Sequence, residues 1–230
     1  MGNPLVLHVD QMAPQEGELC AAASMLAQGG VAVIPTDSVY GICCAALEQN
    51  PGLERVFAIK ERPRTQTLPL LVGSLAQFEE LAAFDTSTAQ GRLKKAQIMA
   101  LIGRFWPGAL TVVVKVREGA LPSEFVAPDG TVALRMPASP WTCALAGRVG
   151  ALPTTSANVH GAPAATKISQ LPASFCAQCD LLVDAGAAPV GVASSIVDGV
   201  QPSEELRVLR EGALSTTRLL EVVHAVSASS

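Results

Sequence analysis

The sequence predicts an α/β chain in which a mixed sheet is covered by helices, and three observations carry that expectation. Short apolar, β-branched runs recur at 31–34, 68–72, 110–117, 131–135, 151–155, 180–183, 195–197 and 206–209. Helical patterns fall between some of these runs but do not alternate with them, so an irregular mixed sheet fits better than a doubly wound parallel one. The composition is 49% hydrophobic and 16% charged, enough apolar side chain for a core and too little charge for disorder. A length of 230 residues suits a single domain over 1–230, with a motif-bearing core over about 14–215 and short terminal extensions.

Each element has a local reason. Glu18 to Gln28 repeats apolar residues at helical spacing and stops at Gly29-Gly30. Val31 to Ile34 is wholly apolar and ends at Pro35, as a strand buried on both faces would. Asn50 followed by Pro51 starts a helix carrying Leu53, Val56, Phe57 and Lys60, which Pro63 ends. Leu68 to Val72 reads as a strand, Leu75 to Ala83 as a helix, and Ala89 to Gly103 as a helix bearing Arg92, Lys94 and Lys95. Leu110 to Arg117 alternates and is β-branched, the clearest strand in the chain. The stretches Thr131–Arg135, Ala151–Thr155, Asp180–Val183, Ser195–Val197 and Leu206–Leu209 supply further strands. Pro140–Arg148 and Ser215–His224 supply helices, and the last residues read as a frayed end.

Bulk charge narrows the function. The formal net charge is −4. A protein that grips nucleic acid needs a basic face to neutralise phosphates, so stable direct tRNA or DNA binding is not indicated. No cationic segment followed by a long apolar one opens the chain, and no apolar run reaches the roughly 18–20 residues of a membrane span. Cytoplasmic residence is the expectation. Six cysteines are scattered through apolar segments, which suits reduced thiols. Cys176 and Cys179 form one C-x-x-C without a second ligand pair, so a zinc site is not expected.

Five stretches concentrate hydroxyls, amides and cations beside strands, where loops meet ligands in α/β sheets. Pro35 to Gly41 offers Thr36 and Ser38, together with Tyr40, the chain's one tyrosine. It could hold an amino-acid head group or a phosphate, or simply form a polar turn. Lys60-Glu61-Arg62-Pro63-Arg64 has three cations in five residues, suited to a polyphosphate or to ordinary decoration of a helix end. Arg135 ends an apolar strand and shares one face with Thr131 and Ala133. A cation there needs an anionic partner, either a ligand or a structural carboxylate. Pro153 to Asn158 carries Thr154, Thr155, Ser156 and Asn158 and leads to His160, a lone loop histidine on which nothing is built. Ser194 to Asp198 and Leu209 to Gly212 bracket the last strands, and Arg210 could face a ligand or merely close the fold. No Ser-His-Asp or Cys-His arrangement, P-loop or G-x-G-x-x-G is present, so any ATP is bound by another geometry.

In order and spacing these stretches resemble the YrdC/TsaC family, the threonylcarbamoyl-AMP synthases, across Val31 to Gly212. Each motif is weak alone. The family's P-T-[DE]-T-V-Y-G turn, K-x-R-P helix end, F-W-P-G-x-L-T strand entry, R-x-P strand, S-x-N loop, S-T-[IV]-V-D strand and R-x-G correspond here to Pro35–Gly41, Lys60–Pro63, Phe105–Thr111, Arg135–Pro137, Ser156–Asn158, Ser194–Asp198 and Arg210–Gly212. Ser38 and Ser195 stand where threonines are usual, Ile42-Cys43 replaces Leu-Gly, and Arg62 to Pro69 is a residue or two longer than in many members.

The resemblance implies a twisted mixed sheet flanked by helices and lining one large concave cavity. It implies L-threonine among Thr36, Ser38, Arg135, Thr154 and Ser194, and ATP held by Lys60, Arg62, Thr131, Ser156, Asn158 and Arg210. Lys60 and Arg62 would stabilise charge on the phosphates, with Mg²⁺ carried by ATP rather than by protein side chains. No tightly bound cofactor is implied. The reaction would make threonylcarbamoyl-AMP and pyrophosphate from L-threonine, bicarbonate and ATP, and a threonylcarbamoyl-transferase complex would use the product on tRNA. Arg62 to Pro69 would form a lid. The competing readings are a non-catalytic or altered-specificity paralogue that binds nucleotide or RNA in the same cavity, and the carbamoyl-adenylate domain of hydrogenase-maturation proteins, which sits in much longer chains.

Overall fold

A computed structural model describes residues 3–61, 63, 67–159, 161–201 and 205–228. Arg62 and residues 64–66 of the expected lid, and His160, therefore lie outside the described residues. The elements in chain order are β1 (Leu5–His8), α1 (Glu16–Ala27), β2 (Ala32–Ile34), β3 (Gly41–Cys43), α2 (Pro51–Ile59), β4 (Leu70–Leu71), α3 (Leu75–Leu81), β5 (Ala82–Ala83), α4 (Ala89–Phe105), β6 (Leu110–Val116), β7 (Thr131–Arg135), α5 (Pro140–Val149), β8 (Leu152–Ser156), α6 (Ala173–Cys176), β9 (Leu181–Asp184), β10 (Ser195–Asp198), β11 (Arg207–Arg210) and α7 (Thr216–Ser227).

The strands form one mixed sheet in the order β1-β9-β2-β3-β8-β4-β7-β6-β10-β11, with β5 paired to β6. Parallel pairing joins β1 to β9, β9 to β2, β4 to β7 and β6 to β10. The remaining pairs are antiparallel. The mixed α/β architecture matches the sequence reading. Three strands, β1, β3 and β5, escaped it. β1 is a four-residue edge strand with three exposed positions, too weak a pattern to stand out. β3 begins at Gly41, inside the stretch read as a polar turn. The expected helix over Leu75–Ala83 ends at Leu81, because Ala82 is extended and pairs with Val116.

Wholly apolar central strands are explained by burial on both faces. Val33 and Ile42 pack with Leu53, Val56 and Phe57 of α2, whereas Ala32, Ile34 and Cys43 pack with Leu19 and Leu26 of α1 and Trp141 and Leu145 of α5. Each strand thus serves two helical layers. At the other end of the sheet, Leu110, Val112 and Val114 of β6 and Val132 and Leu134 of β7 pack against Ile98, Leu101 and Ile102 of α4 and Leu219 and Val223 of α7. Alternation then turns Thr111, Lys115, Ala133 and Arg135 to the face away from α4. That face bears the candidate site.

Candidate active site

The loop between β2 and β3 lies where β3, β8, β7 and β10 converge, and a cavity of about 130 Å³ opens there. Thr36, Ser38, Arg135, Thr154, Ser156, Ser194 and Arg210 all line it, so residues far apart in the chain meet as expected. Thr111, Thr155, Gly41, Pro69, Leu71 and Ile196 complete much of the wall. This volume is below the ~300 Å³ of ordinary drug-sized ligand pockets. It suits an amino acid, and a nucleotide would extend beyond it.

Arg135 is the hub. Its Nε donates to Gly108 O at 2.9 Å, Nη1 to Ser38 Oγ at 2.7 Å, and Nη2 to Asp37 Oδ1 at 2.7 Å. The partner that the sequence demanded for this buried cation is therefore Asp37, with side chains 7% and 6% exposed. These bonds use three of the five guanidinium donors, leaving two for a ligand. Burial lowers the Arg135 pKa, the Asp37 charge opposes this, and the nearby Arg210 charge adds to the lowering. Two guanidiniums that repel one another across one cavity make a place for an anion.

A relay fixes the hydroxyls. Thr36 Oγ1 donates to Val39 O at 2.6 Å, so its 3.1 Å contact with Ser38 Oγ has Ser38 as donor. Ser38 in turn accepts from Arg135. A serine at this position keeps every bond in the relay, because the methyl group of threonine takes no part in it. Gly41 allows the close approach of β3 and β8, since a Cβ there would lie 2.5 Å from Thr154 Cγ2. Thr154 Oγ1 donates to Leu152 O at 2.8 Å, which turns its methyl toward Gly41.

On the opposite wall, Arg210 donates from Nη2 to Ser194 O at 2.8 Å, and Ser194 Oγ lies 2.8 Å from Thr111 Oγ1. Burial lowers the Arg210 pKa. Its position depends on Gly212, where a Cβ would lie 2.3 Å from Ala193 O. Ser195 points the other way and bonds Gly212 N, Leu214 N and Leu214 O. The serine pair therefore divides its work, one hydroxyl for the cavity and one for the turn that aims Arg210.

Three expected site residues behave differently from the rest. Lys60 is buried, and its Nζ donates to Ser156 O at 2.5 Å, Asn158 O at 2.9 Å and Asn158 Oδ1 at 3.0 Å. The ammonium is thus engaged with the S-x-N loop and does not line the enclosed cavity. Asn158 is also engaged, accepting from Ser156 Oγ at 2.6 Å and donating to Val159 O and Ala162 O. Thr131 stands apart. It begins β7, four residues from Arg135, and its Oγ1 donates to Asp129 Oδ1 at 2.7 Å. Sharing a strand face with Arg135 did not bring it to the cavity, because four strand residues span roughly 13 Å.

The sequence reading gave no role to Asp37 and Thr111. Asp37 had a signal, a carboxylate between two hydroxyls in a chain whose Arg135 required a partner. Thr111 had one too, as the polar residue that closes the Phe105–Thr111 motif and breaks an apolar run. Tyr40 proves to be a fastener. Its hydroxyl donates to Gly186 O at 2.8 Å and accepts from Ala185 N at 2.9 Å. The following strap bonds the site loop through Val190 N to Asp37 O and Gly191 N to Ser38 O, both at 2.9 Å. At the expected lid, Leu68 is buried and Pro69 O accepts Thr154 N, so that end is anchored in the core.

Among the described residues no group of three His, Cys, Asp or Glu side chains could hold a metal, and no helix is long and apolar enough to cross a membrane. Cys179 is buried with its thiol pushed up to about 12, chiefly by desolvation, and Cys176 is raised for the same reason.

Comparison with known proteins agrees with this geometry. The family model Sua5_yciO_yrdC, described as "Telomere recombination", matches residues 24–212. A Mycobacterium leprae protein named "Putative threonylcarbamoyl-AMP synthase" is 34% identical over 211 residues, covering 92% of this chain and 90% of its own. The Bacillus subtilis threonylcarbamoyl-AMP synthase is 29% identical over 93% of this chain, which spans only 59% of that relative. Among solved structures, Pyrococcus abyssi Sua5 complexed with L-threonine superposes with a TM-score of 0.81 at 28% identity, covering 95% of this chain and 60% of that one. Escherichia coli YciO shares the fold, with a TM-score of 0.74 at 22% identity over 96% of this chain and 100% of its own. The fold, the ordered motifs and their meeting at one cavity place this chain in the Sua5/YciO/YrdC family.

Proposed function

We propose that the protein is an L-threonylcarbamoyladenylate synthase, making threonylcarbamoyl-AMP and pyrophosphate from L-threonine, bicarbonate and ATP. The observation that carries this is the pairing of Arg135 and Arg210 across one small, hydroxyl-lined cavity. Support comes from relatives named for this activity and from the threonine complex of P. abyssi Sua5.

Arg135 would take the threonine carboxylate on its two remaining donors, with Thr36, Ser38, Thr154 and Ser194 around the rest of the amino acid. The threonine amine and bicarbonate would combine as an N-carboxylate with loss of water. One carboxylate oxygen then attacks the α-phosphorus of ATP, and the bond to the β-phosphate oxygen breaks to release pyrophosphate. No covalent bond to the protein is needed. The protein's part is positioning and charge neutralisation.

Arg210 and the Ser156–Asn158 loop would meet the nucleotide, with Lys60 acting through that loop or exchanging its loop bonds for phosphate. Arg62 is a further proposed phosphate ligand, outside the described residues. Mg²⁺ would ride on the ATP phosphates, because the cavity wall offers hydroxyls and guanidiniums, and Asp37 is committed to Arg135. We place the protein in the cytoplasm, upstream of a transferase complex that moves the threonylcarbamoyl group to tRNA.

Pyrophosphate release tests the proposal, measured with ATP and Mg²⁺ while bicarbonate and the amino acid are varied. Release requiring both bicarbonate and L-threonine is expected. ATP binding without any release would instead favour the paralogue that lacks this chemistry.

A further inference from the structure

Strand register sets four side chains in one row across the sheet. β6 and β7 pair Val112 with Leu134, so one step further along Thr111 stands beside Arg135. β10 pairs Ile196 with the same Thr111, and β11 pairs Arg210 with Ile196. A bulge makes the last pairing. Val197 opposes Val208, so in an unbroken ladder Ile196 would oppose Leu209 rather than Arg210. The extra residue turns a guanidinium, in place of a leucine, to the face that lines the cavity. Neighbouring strands lie ~4.8 Å apart, so the Cα atoms of the two arginines are about 14 Å apart with Thr111 and Ile196 between them.

The middle of this row holds a hydrogen-bond donor without an acceptor. Thr111 is 2% exposed and Ser194 6%, and their hydroxyl oxygens lie 2.8 Å apart. Ser194 Oγ also accepts from Arg210 Nη2 at 3.3 Å, and neither hydroxyl has a further partner among the described residues. The pair carries two hydroxyl hydrogens and uses one between its own oxygens. The other hydrogen is buried at the cavity wall and needs an acceptor there. Arg210 commits Nε and Nη2 to Ser194 and keeps Nη1. A neutral O–H donor and a guanidinium N–H donor therefore flank the same stretch of wall.

The geometry points to the Thr111–Ser194 hydroxyl pair, together with Arg210, as the seat of the one-carbon unit, first as bicarbonate and then as the N-carboxylate. This rests on the synthase reading, in which Arg135 takes the threonine carboxylate and Arg210 meets the nucleotide. In the product the one-carbon unit lies between the amino acid and the phosphorus, so it falls over Thr111. There the neutral threonine amine forms a C–N bond as the C–OH bond of bicarbonate breaks, and the hydroxide leaves as water with one amine proton. One oxygen of the resulting carboxylate keeps the hydroxyl donor while the other is free to attack the α-phosphorus.

Two substitutions separate oxygen from shape. Thr111→Val keeps the outline of the side chain and loses its oxygen, whereas Thr111→Ser keeps the oxygen and loses the methyl group. Pyrophosphate release is measured in CO₂-free buffer with bicarbonate, threonine and ATP varied in turn. Thr111→Val is expected to raise the bicarbonate KM roughly tenfold, the effect of one lost hydrogen bond to a charged ligand, and to leave the threonine and ATP values within about twofold. Thr111→Ser should keep the bicarbonate KM within about twofold of the unaltered protein, on the same grounds. Three results would overturn the assignment while the synthase reading stands: a bicarbonate KM that Thr111→Val leaves unchanged, an equal rise for all three substrates, or a Thr111→Ser variant as impaired as Thr111→Val. An unaltered protein that releases no pyrophosphate would overturn that reading and this seat with it. Should Thr111→Val fail to fold, Thr111→Ala decides, with the same selective rise expected.

Discussion

Asp37 and Arg135 form a buried ion pair at 2.7 Å that ties the β2–β3 loop to the end of β7. Asp37 Oδ1 also accepts Ala138 N at 3.0 Å, so one carboxylate oxygen fixes both the guanidinium and the chain that leaves its strand. Removing the carboxylate leaves Arg135 charged and uncompensated. Asp37→Ala is expected to cost about 3–5 kcal/mol of stability. Asp37→Asn, which keeps a carbonyl oxygen for both donors, should cost clearly less. Urea denaturation of the two variants checks the order, and equal losses would mean that the charge alone, not the retained carbonyl oxygen, carries the contribution.

Arg135→Lys separates charge from shape. A lysine cannot reach Gly108 O, Ser38 Oγ and Asp37 Oδ1 at once and still offer two donors to a carboxylate. The expected result is a threonine KM raised roughly tenfold or more, with the KM for ATP changed much less. Steady-state pyrophosphate release with each substrate varied in turn measures the split.

Arg210→Ala should show the opposite pattern. Loss of a preorganised donor near developing phosphate charge costs roughly 10²–10³-fold in kcat. Threonine binding, followed by calorimetry without ATP, should survive. Gly212→Ala should act in the same direction through position alone, since its Cβ would meet Ala193 O at 2.3 Å.

Lys60 tests whether the loop needs its fastener. Three bonds from its ammonium hold the carbonyls of Ser156 and Asn158 and the Asn158 side chain. Lys60→Met is expected to lose about 1.5–3 kcal/mol, the range for hydrogen bonds to a charged group. ATP affinity should fall with it. Unchanged stability alongside lost ATP binding would assign Lys60 to the phosphates alone.

The surface pair Glu16–Arg148 joins α1 to α5 and gives a pH signature. The hydrogen bond from Arg148 is the main cause holding the Glu16 carboxyl down, from 4.5 to about 2. Because the folded value is the lower one, the stabilisation is fully present above about 4.5 and is lost as pH falls through about 2. Glu16→Gln should therefore lower Tm at neutral pH and make no difference near the acid limit. Thermal melts across that window, at low salt, provide the check.

Much of this site was legible because its motifs are short, polar and set against apolar strands. Val31–Ile34, Leu110–Arg117 and Thr131–Arg135 announced buried strands, and Arg135 announced a missing partner. Alternation correctly put Arg135 on the face opposite Leu134 but could not say how far along that face the cavity extends, which is why Thr131 was grouped with it. The hydrogen bonds of Lys60 were not readable either. A cation at a helix end looks the same in sequence whether it reaches solvent, a phosphate or two carbonyls nearly a hundred residues away. β3 was hidden for a related reason, since three residues ending a polar loop carry no periodicity of their own.

The central claim is that one cavity joins threonine, a one-carbon unit and an adenylate. Mass spectrometry of the nucleotide product formed with isotopically labelled bicarbonate tests this most directly. The account predicts a threonylcarbamoyl-AMP product that carries the label, appears only when L-threonine is present, and needs more threonine to form in Arg135→Lys. AMP or ADP formed without incorporated label, or an adenylate whose formation is indifferent to threonine, would contradict it.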